Sequence, residues 1–476
     1  MLTSTGAGTK ESNWLPRFLR APAPATPLVD PQKIRSLYRQ YRLRILVWST
    51  VGYAMFYYVR KNLSVAQPEI EKHLHILHSG MGLILTLHGV VYGISKFLNG
   101  ILADRANARL FMALALLACA MLNLCFGASS SIALFSLFWM LNGWFQGMGY
   151  PPCARLLTHW FAPKELATKM SFWNSSHVLG GGSIVVLCGY IIAITGNWRL
   201  CFYIPAVISV IAGICLLLFL RDTPESVGLP DVETLSGTEL DIAPTEAPAS
   251  GTPSPGALDV AEEAEMHQST AEFKKFVTRQ VFGNKYIWLA SVANFFVYVI
   301  RFSIFDWGPT MLKEAKGIEL TNATWIIFSF EVAGLAGMLI TGWMTDRYFR
   351  GRAAPLCMVC MLLCGVSIAL FWKAPQHAIL RSTLGLMAAG FFVYSPQALV
   401  AVIVANQATK RAAATAVGLT SIFGYASTTL SGYGLGWLVQ HYSWNHAFVC
   451  LIVAAGLGAV LFAAILPASA RGNPAP

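Results

Sequence analysis

Charge is scarce in this chain. Only 12% of its residues are Asp, Glu, Lys or Arg, against roughly 25% in a soluble globular domain. That shortage excludes an ordinary aqueous fold. A disulfide framework is also missing, because the ten cysteines lie mostly inside apolar runs, as Cys119, Cys188 and Cys215 do. Cys357, Cys360 and Cys364 share one apolar stretch with no His or carboxylate beside them, so small apolar packing accounts for them better than a metal. No nucleophile–base set sits at a catalytic spacing, which disfavours an enzyme, and no cofactor is expected. No cleavable leader is expected. The first 44 residues are polar with eight Lys or Arg, and read as a cytoplasmic tail before a first span.

Apolar sequence is what the chain has in excess, at 55% hydrophobic with mean hydropathy +0.55. A bilayer span needs ~20 apolar residues. The pattern predicts twelve, over 45–67, 81–103, 110–126, 132–150, 170–194 and 201–220, then 286–311, 325–343, 354–372, 378–405, 414–439 and 447–465. Runs this long and continuously apolar are helices, since barrel strands are shorter and alternate. Pro151 and Pro152 are expected to end the fourth. The fold class is thus an all-α membrane protein of twelve transmembrane helices in two six-helix halves. The organisation reads as a tail (1–44), a bundle (45–220), a cytoplasmic linker (221–285), a second bundle (286–466) and a short tail (467–476). Residues 222–272 hold 12 of the 23 acidic residues and no Lys or Arg, and such a segment cannot bury enough apolar surface to order itself. An amphipathic piece at 273–282 is expected on the membrane surface.

The net charge of +11 first raises nucleic acid as a partner. The basic residues lie between apolar runs instead of on one face, so they are a topology signal and no nucleic acid is expected. One set of loops and tails carries 24 of the 34 Lys and Arg, and the other set carries six. The basic side is cytoplasmic, which places both termini and the linker inside.

Four cations remain within spans: Arg60, Lys61, Lys96 and Arg301. Each costs ~2.5–3.5 kcal/mol at a helix centre on the insertion scale. Snorkelling to the headgroups is the plain alternative for Arg60 and Lys61. It does not explain why Phe56-Tyr-Tyr-Val-Arg60 has a counterpart in Phe296-Val-Tyr-Val-Ile-Arg301, 241 residues on. Gly100-Ile-Leu-Ala-Asp-Arg105 likewise returns as Gly342-Trp-Met-Thr-Asp-Arg347, with Asp104 and Asp346 242 residues apart. Two motifs at nearly one offset argue for duplicated halves. The Asp104-Arg105 and Asp346-Arg347 pairs are placed to bridge helix ends as the halves rock.

The four cations face two in-span carboxylates, Asp306 and Glu331. The surplus of two positive charges matches a phosphate monoester dianion held between the halves, with arginine forks gripping its oxygens and lysines acting as point charges. Tyr57, Tyr92 and Tyr298 are candidate hydroxyl donors, whereas Tyr53, Tyr394 and Tyr425 serve packing at least as well. His177, in Trp173-Asn174-Ser-Ser-His177, is read evenly as a packed core residue or a substrate contact. His88 is read as structural.

These motifs resemble one family. Tyr57-Tyr-Val-Arg-Lys-Asn62, Tyr92-Gly-Ile-Ser-Lys-Phe97, Gly147-Met-Gly-Tyr-Pro-Pro-Cys153, Trp173-Asn-Ser-Ser-His177 and Tyr298-Val-Ile-Arg-Phe-Ser-Ile-Phe-Asp-Trp307 are similar to those of the organophosphate:inorganic phosphate antiporters of the major facilitator superfamily. The resemblance runs from about residue 15 to the last span, sparing the linker. It implies the major facilitator fold and exchange driven by a phosphate gradient. It implies phosphate binding by Arg60 and Arg301, a site also lined by Lys61, Lys96 and His177, and Lys61 linked to Asp306 and Glu331. Asn174, in the same motif as His177, is a further candidate for substrate binding. Tyr150 departs from the Trp of several relatives. Val417 and Thr420 stand where the hexose-phosphate subgroup has Asp and Lys. The opening Phe18-Leu-Arg-Ala-Pro-Ala-Pro resembles a sensor subgroup that signals to a membrane histidine kinase. The expected partners are therefore a phosphate ester, inorganic phosphate and membrane lipid in a bacterial inner membrane, with a histidine kinase as the alternative.

Overall fold

The computed structural model describes residues 16, 19–103, 106–232, 281–349, 351–407 and 413–470. The first half comprises α1 (Pro31–Tyr58), α2 (Asn62–Leu74), α3 (His78–Ala103), α4 (Ala108–Ala128), α5 (Ile132–Gln146), α6 (Tyr150–Trp160), α7 (Pro163–Thr195) and α8 (Leu200–Phe219). The second comprises α9 (Lys285–Lys316), α10 (Leu320–Arg347), α11 (Ala354–Lys373), α12 (Ile379–Gln407), α13 (Ala413–Ala426), α14 (Leu435–His441) and α15 (Trp444–Ala470). Among the described residues, nine of these are each long and apolar enough to cross a membrane: α3, α4, α7 to α12, and α15. The other three spans are broken helices.

Those breaks correct the span limits read from hydropathy. The first span is a helix from Pro31 to Leu74 interrupted at 59–61, well beyond the expected 45–67. Pro151 and Pro152 do not end the fourth span. The helix stops at Gln146, turns through Gly147–Gly149, and resumes with the prolines in the first turn of α6, where a missing N–H removes no intrahelical bond. The eleventh span passes from α13 through a π-helical segment, Thr429–Gly434, into α14.

A helix break at membrane depth frees backbone groups that lipid cannot satisfy. At 59–61 three buried amide side chains take them up. The Val59 carbonyl accepts from Asn123 Nδ2 at 2.9 Å and from Asn142 Nδ2 at 2.8 Å, and the Phe56 carbonyl accepts from Gln146 Nε2 at 2.7 Å. Asn62 Nδ2 then donates to Asn123 Oδ1 at 2.8 Å and to the Cys201 carbonyl at 2.9 Å. Residues from α2, α4, α5 and α8 thus hold the break that carries Arg60 and Lys61.

The unbroken helices start and stop on local signals. Asn107 Oδ1 accepts from the Leu110 amide at 3.3 Å to cap α4, and Asn284 Oδ1 accepts from the Tyr286 amide at 3.0 Å to cap α9. Gly317, at φ 62°, ends α9 by returning its amide to the last carbonyls. Asp222, buried below α8, accepts from the Ala108 amide at 2.7 Å and pairs with Arg155 at 3.2 Å, tying the ends of α4, α6 and α8 together. Cys357, Cys360 and Cys364 are free thiols buried in the second-half core.

The halves meet along α3 against the eleventh span, α7 against α10, and α2 against α9. The approach is close enough that a Cβ on Gly82 would collide with the Gly432 backbone, and one on Gly89 with Thr428. Hydrogen bonds cross at the same seam. Thr86 Oγ1 donates to the Thr428 carbonyl at 2.8 Å and accepts from the Tyr433 amide at 2.9 Å, and the Ser79 amide donates to Gln440 at 3.1 Å. At the far end of α10, Asp346 and Arg347 are exposed. Asp104, Arg105 and residues 233–280 lie outside the described residues. The acidic segment expected not to order itself is ordered over 222–232, where Asp222, Leu229 and Val232 are buried and the Glu225 and Gly228 carbonyls accept from the Ala25 and Leu28 amides of the first tail.

Candidate functional site

All three broken spans send side chains to the same level of the molecule. Arg60 and Lys61 sit in the first break, Tyr150 opens α6 after the second, and Tyr425 and Thr428 precede the π-helical segment. Helix interruptions at membrane depth persist where they line a cavity or are buried in protein. Here the first and third border a small cleft between the halves. Arg60, Lys61, His88 and Tyr92 line it from the first half. Phe302, Asp306, Tyr425 and Thr428 line it from the second.

The cations rest on aromatic rings. Arg60 lies 4.1 Å from the centre of the Tyr57 ring and 5.2 Å from that of Tyr92. Lys96, one α3 turn beyond Tyr92, reaches Tyr150 at 4.5 Å in its own half and Tyr425 at 5.5 Å across the seam. Ring contacts continue the wall: Tyr92 and Tyr425 are 4.8 Å apart, and Tyr425 and Tyr298 are 6.1 Å apart. His177 packs 6.0 Å from Tyr57. Its Nδ1 is held by the Asn174 carbonyl, while Asn174 itself is exposed. A ring face attracts a cation without neutralising it, so these groups keep their charge available.

The second half is arranged differently. Arg301 lies in the unbroken α9, buried to 6% exposure. It sits behind Phe302 at 5.7 Å and over Tyr394 at 4.5 Å. The Tyr394 hydroxyl donates to Glu331, which is fully buried. Lys61 pairs with Asp306 across the seam. Of the two carboxylates expected at Lys61, the ion pair involves Asp306, and Glu331 lies instead with Tyr394 near Arg301. The Nε atoms of Arg60 and Arg301 are buried and have no hydrogen-bond partner among the described residues.

Comparison with known proteins decides the family. The profile of the Major Facilitator Superfamily matches residues 50–432. The chain belongs to that superfamily. Within it, the chain is 38% identical to a probable hexose phosphate transport protein of Chlamydia trachomatis, over 94% of this chain and 95% of that one. It is 34% identical to a glycerol-3-phosphate transporter of Bacillus subtilis, over 93% and 96% of the two chains. It is 35% identical to the membrane sensor protein UhpC of Escherichia coli, over 95% and 98%. Among solved structures, the nucleoside transporter NupG superposes with a TM-score of 0.66 at 13% identity, covering 89% of this chain and 99% of that one, a likeness of fold. This is a multi-pass membrane protein of the organophosphate transporter family, and a transporter-type protein in place of an enzyme.

Sequence reading missed two parts of this site. The amides Asn123, Asn142 and Gln146 carry no charge and were not among the in-span residues singled out, although Asn142 and Gln146 share a helix face at a spacing of four. His88, read as structural, lies in the cavity wall. The available signal was the face it shares with Tyr92 and Lys96 at successive spacings of four.

Proposed function

We propose that this protein exchanges an organic phosphate ester, such as a hexose phosphate or glycerol 3-phosphate, for inorganic phosphate by alternating access in a bacterial inner membrane. The single observation that carries the reading is the unbalanced positive charge between the halves. Arg60 and Lys61 line the cleft, with Lys96 against Tyr425 and Arg301 beside Phe302 of its lining, while Asp306 is engaged by Lys61 and Glu331 by Tyr394. Arg60 and Arg301 hold the phosphoryl group from opposite halves. Lys96, His177, Tyr57, Tyr92 and Tyr298 complete the shell, and Asn174 fixes His177 through its carbonyl. Names borne by the relatives support the substrate class.

In this reading the bundles at 45–220 and 286–466 rock about the site, with the termini and the linker cytoplasmic. The seam from Lys61 to the end of α2 is the closed outer gate. The pairs Asp104-Arg105 and Asp346-Arg347 form the inner one. A dianion between Arg60 and Arg301 draws the halves together, because each contributes a cation to one shared charge. A ligand moves such an equilibrium only through its differential affinity for the states, so the occluded state binds phosphate tightest and the empty carrier switches slowly. Counterflow in proteoliposomes loaded with inorganic phosphate tests this. Fast phosphate efflux into buffer without counter-substrate would mean uniport and end the exchange reading.

A second reading has its own support in the similarity to UhpC. There the same site binds hexose phosphate and the conformational change is reported to a membrane histidine kinase. Measurable binding with neither exchange nor efflux of any phosphate ester selects it.

A further inference from the structure

We infer that His88 reads a hydroxyl of the substrate's organic part, and so separates a polyol phosphate from inorganic phosphate. The inference rests on the phosphate-ester reading above and adds to it the residue that recognises the alcohol.

His88 Nδ1 lies 3.0 Å from the carbonyl oxygen of Trp139 on α5. A carbonyl only accepts, so Nδ1 carries the ring proton. A second proton would set another cation on a wall that already presents Arg60 and Lys61. The ring is therefore neutral and Nε2 is a bare lone pair. That atom is buried and has no hydrogen-bond partner among the described residues, in a side chain 8% exposed. Leaving such an acceptor unpaired is costly, about 1–3 kcal/mol for a neutral group, unless a ligand supplies the missing donor.

The ring cannot turn away to find one. It stacks on Tyr92 at 6.4 Å with 16° between the planes and packs 5.5 Å from Trp139. Arg60 and Lys61 only donate, and Asp306, the one carboxylate on this wall, is engaged by Lys61. His88 Nε2 is thus an unengaged acceptor, without a proton of its own to donate, on a wall dominated by donors. A phosphoryl group oriented on the arginines turns oxygens towards those donors. Alcohol hydroxyls lie further along an ester's carbon chain, and they are the groups able to donate to Nε2. A site that hydrogen-bonds a hydroxyl rejects the analogue lacking it far better than a site that merely leaves room.

The test compares four probes on the purified full-length protein: glycerol 3-phosphate, glucose 6-phosphate, inorganic phosphate, and propyl phosphate, which keeps the carbon chain without the hydroxyls. Wild-type protein is expected to prefer a polyol phosphate to propyl phosphate about tenfold or more. In His88→Asn the amide keeps the donor to Trp139 and loses the Nε2 acceptor. Affinity for the polyol phosphate should fall about tenfold, while inorganic phosphate and propyl phosphate stay within about twofold, which also shows the fold intact. His88→Gln, whose side-chain oxygen reaches the Nε2 position, should recover most of the preference. Parallel loss of all ligands in His88→Asn would make His88 a strut or a phosphoryl contact and overturn the inference, as would unchanged discrimination. If the Asn variant does not fold, the wild-type comparison decides, since equal affinity for glycerol 3-phosphate, glucose 6-phosphate and propyl phosphate overturns it too. Wild-type protein that binds none of the four overturns the proposed function itself. Wild-type exchange with an indifferent His88→Asn overturns only this inference.

Discussion

Arg60 and Arg301 occupy matching places in the two halves, yet their surroundings differ in kind. Arg60 sits in a helix break, on tyrosine rings and next to Lys61, with no carboxylate paired to it among the described residues. Arg301 sits in a continuous helix, deeply buried, close to the Tyr394–Glu331 pair. Duplication supplied two equivalent arginines, and divergence made one a loosely held, uncompensated charge and the other part of a balanced cluster. Acid residues followed the same division. The first half brings Arg60, Lys61 and Lys96 to the centre. The second brings Arg301, Asp306 and Glu331. The halves therefore attract each other through Lys61 and Asp306 even without ligand, and still leave positive charge for an anion.

The sharpest way to break this comparison is to remove each arginine. Arg60→Ala should abolish phosphate binding and leave thermal stability nearly unchanged. Arg301→Ala should abolish binding and also destabilise the protein by ~3–5 kcal/mol, because Glu331 is left as an uncompensated buried charge. Adding Glu331→Gln to Arg301→Ala should restore much of the melting temperature without restoring binding. Equal stability losses in the two single variants would erase the distinction. Replacement by Lys keeps the charge and loses the fork, so phosphate affinity should fall on the order of 100-fold at either site. Wild-type affinity in both Lys variants would rule out bidentate grip.

Lys61 and Asp306 give the next largest effect. Lys61→Ala strands Asp306 inside the seam, again at ~3–5 kcal/mol. The Lys61→Ala, Asp306→Ala double variant should be closer to wild type in stability and residual transport than the single one. Strictly additive losses would mean that the pair is not coupled.

The break itself can be tested through its amides. Gln146→Leu leaves the Phe56 carbonyl without its amide donor, at ~1–3 kcal/mol, whereas Asn142→Leu leaves the Val59 carbonyl with Asn123 alone, a smaller loss. The expected result is a lower melting temperature together with weaker phosphate binding, because Arg60 loses its position. Unaltered phosphate affinity in both would detach the amide cluster from the site.

The smallest effects belong to the rim of the seam. His78 has Nδ1 3.0 Å from Glu71 and Nε2 3.4 Å from Glu314, so one ring spans both halves. The Glu69–Lys313 pair nearby is more exposed. Glu69→Gln should change stability by under ~1 kcal/mol and lose even that at high salt. His78→Ala should shift cysteine accessibility at this end of the seam towards the open state, by more than Glu69→Gln does. The reverse order would place the latch at Lys313.

Composition and spacing determined a good deal of this protein on their own. The excess of apolar runs dictated helices in a bilayer, since the hydrophobic effect and backbone satisfaction leave no other solution for such segments. The 241-residue recurrence of an in-span arginine marked the duplicated halves, and burial cost alone singled out Arg60, Lys61, Lys96 and Arg301. Only the tertiary structure decided where helices break, because the groups that stabilise the break at 59–61 lie on α2, α4, α5 and α8 and carry no charge. It placed Glu331 with Tyr394 and left Lys61 to Asp306, a choice between two carboxylates that spacing cannot make. It also moved His88 into the cavity wall. A histidine reads the same in sequence whether both ring nitrogens are satisfied or one is bare, and that depends on the carbonyl of Trp139, 51 residues away along the chain.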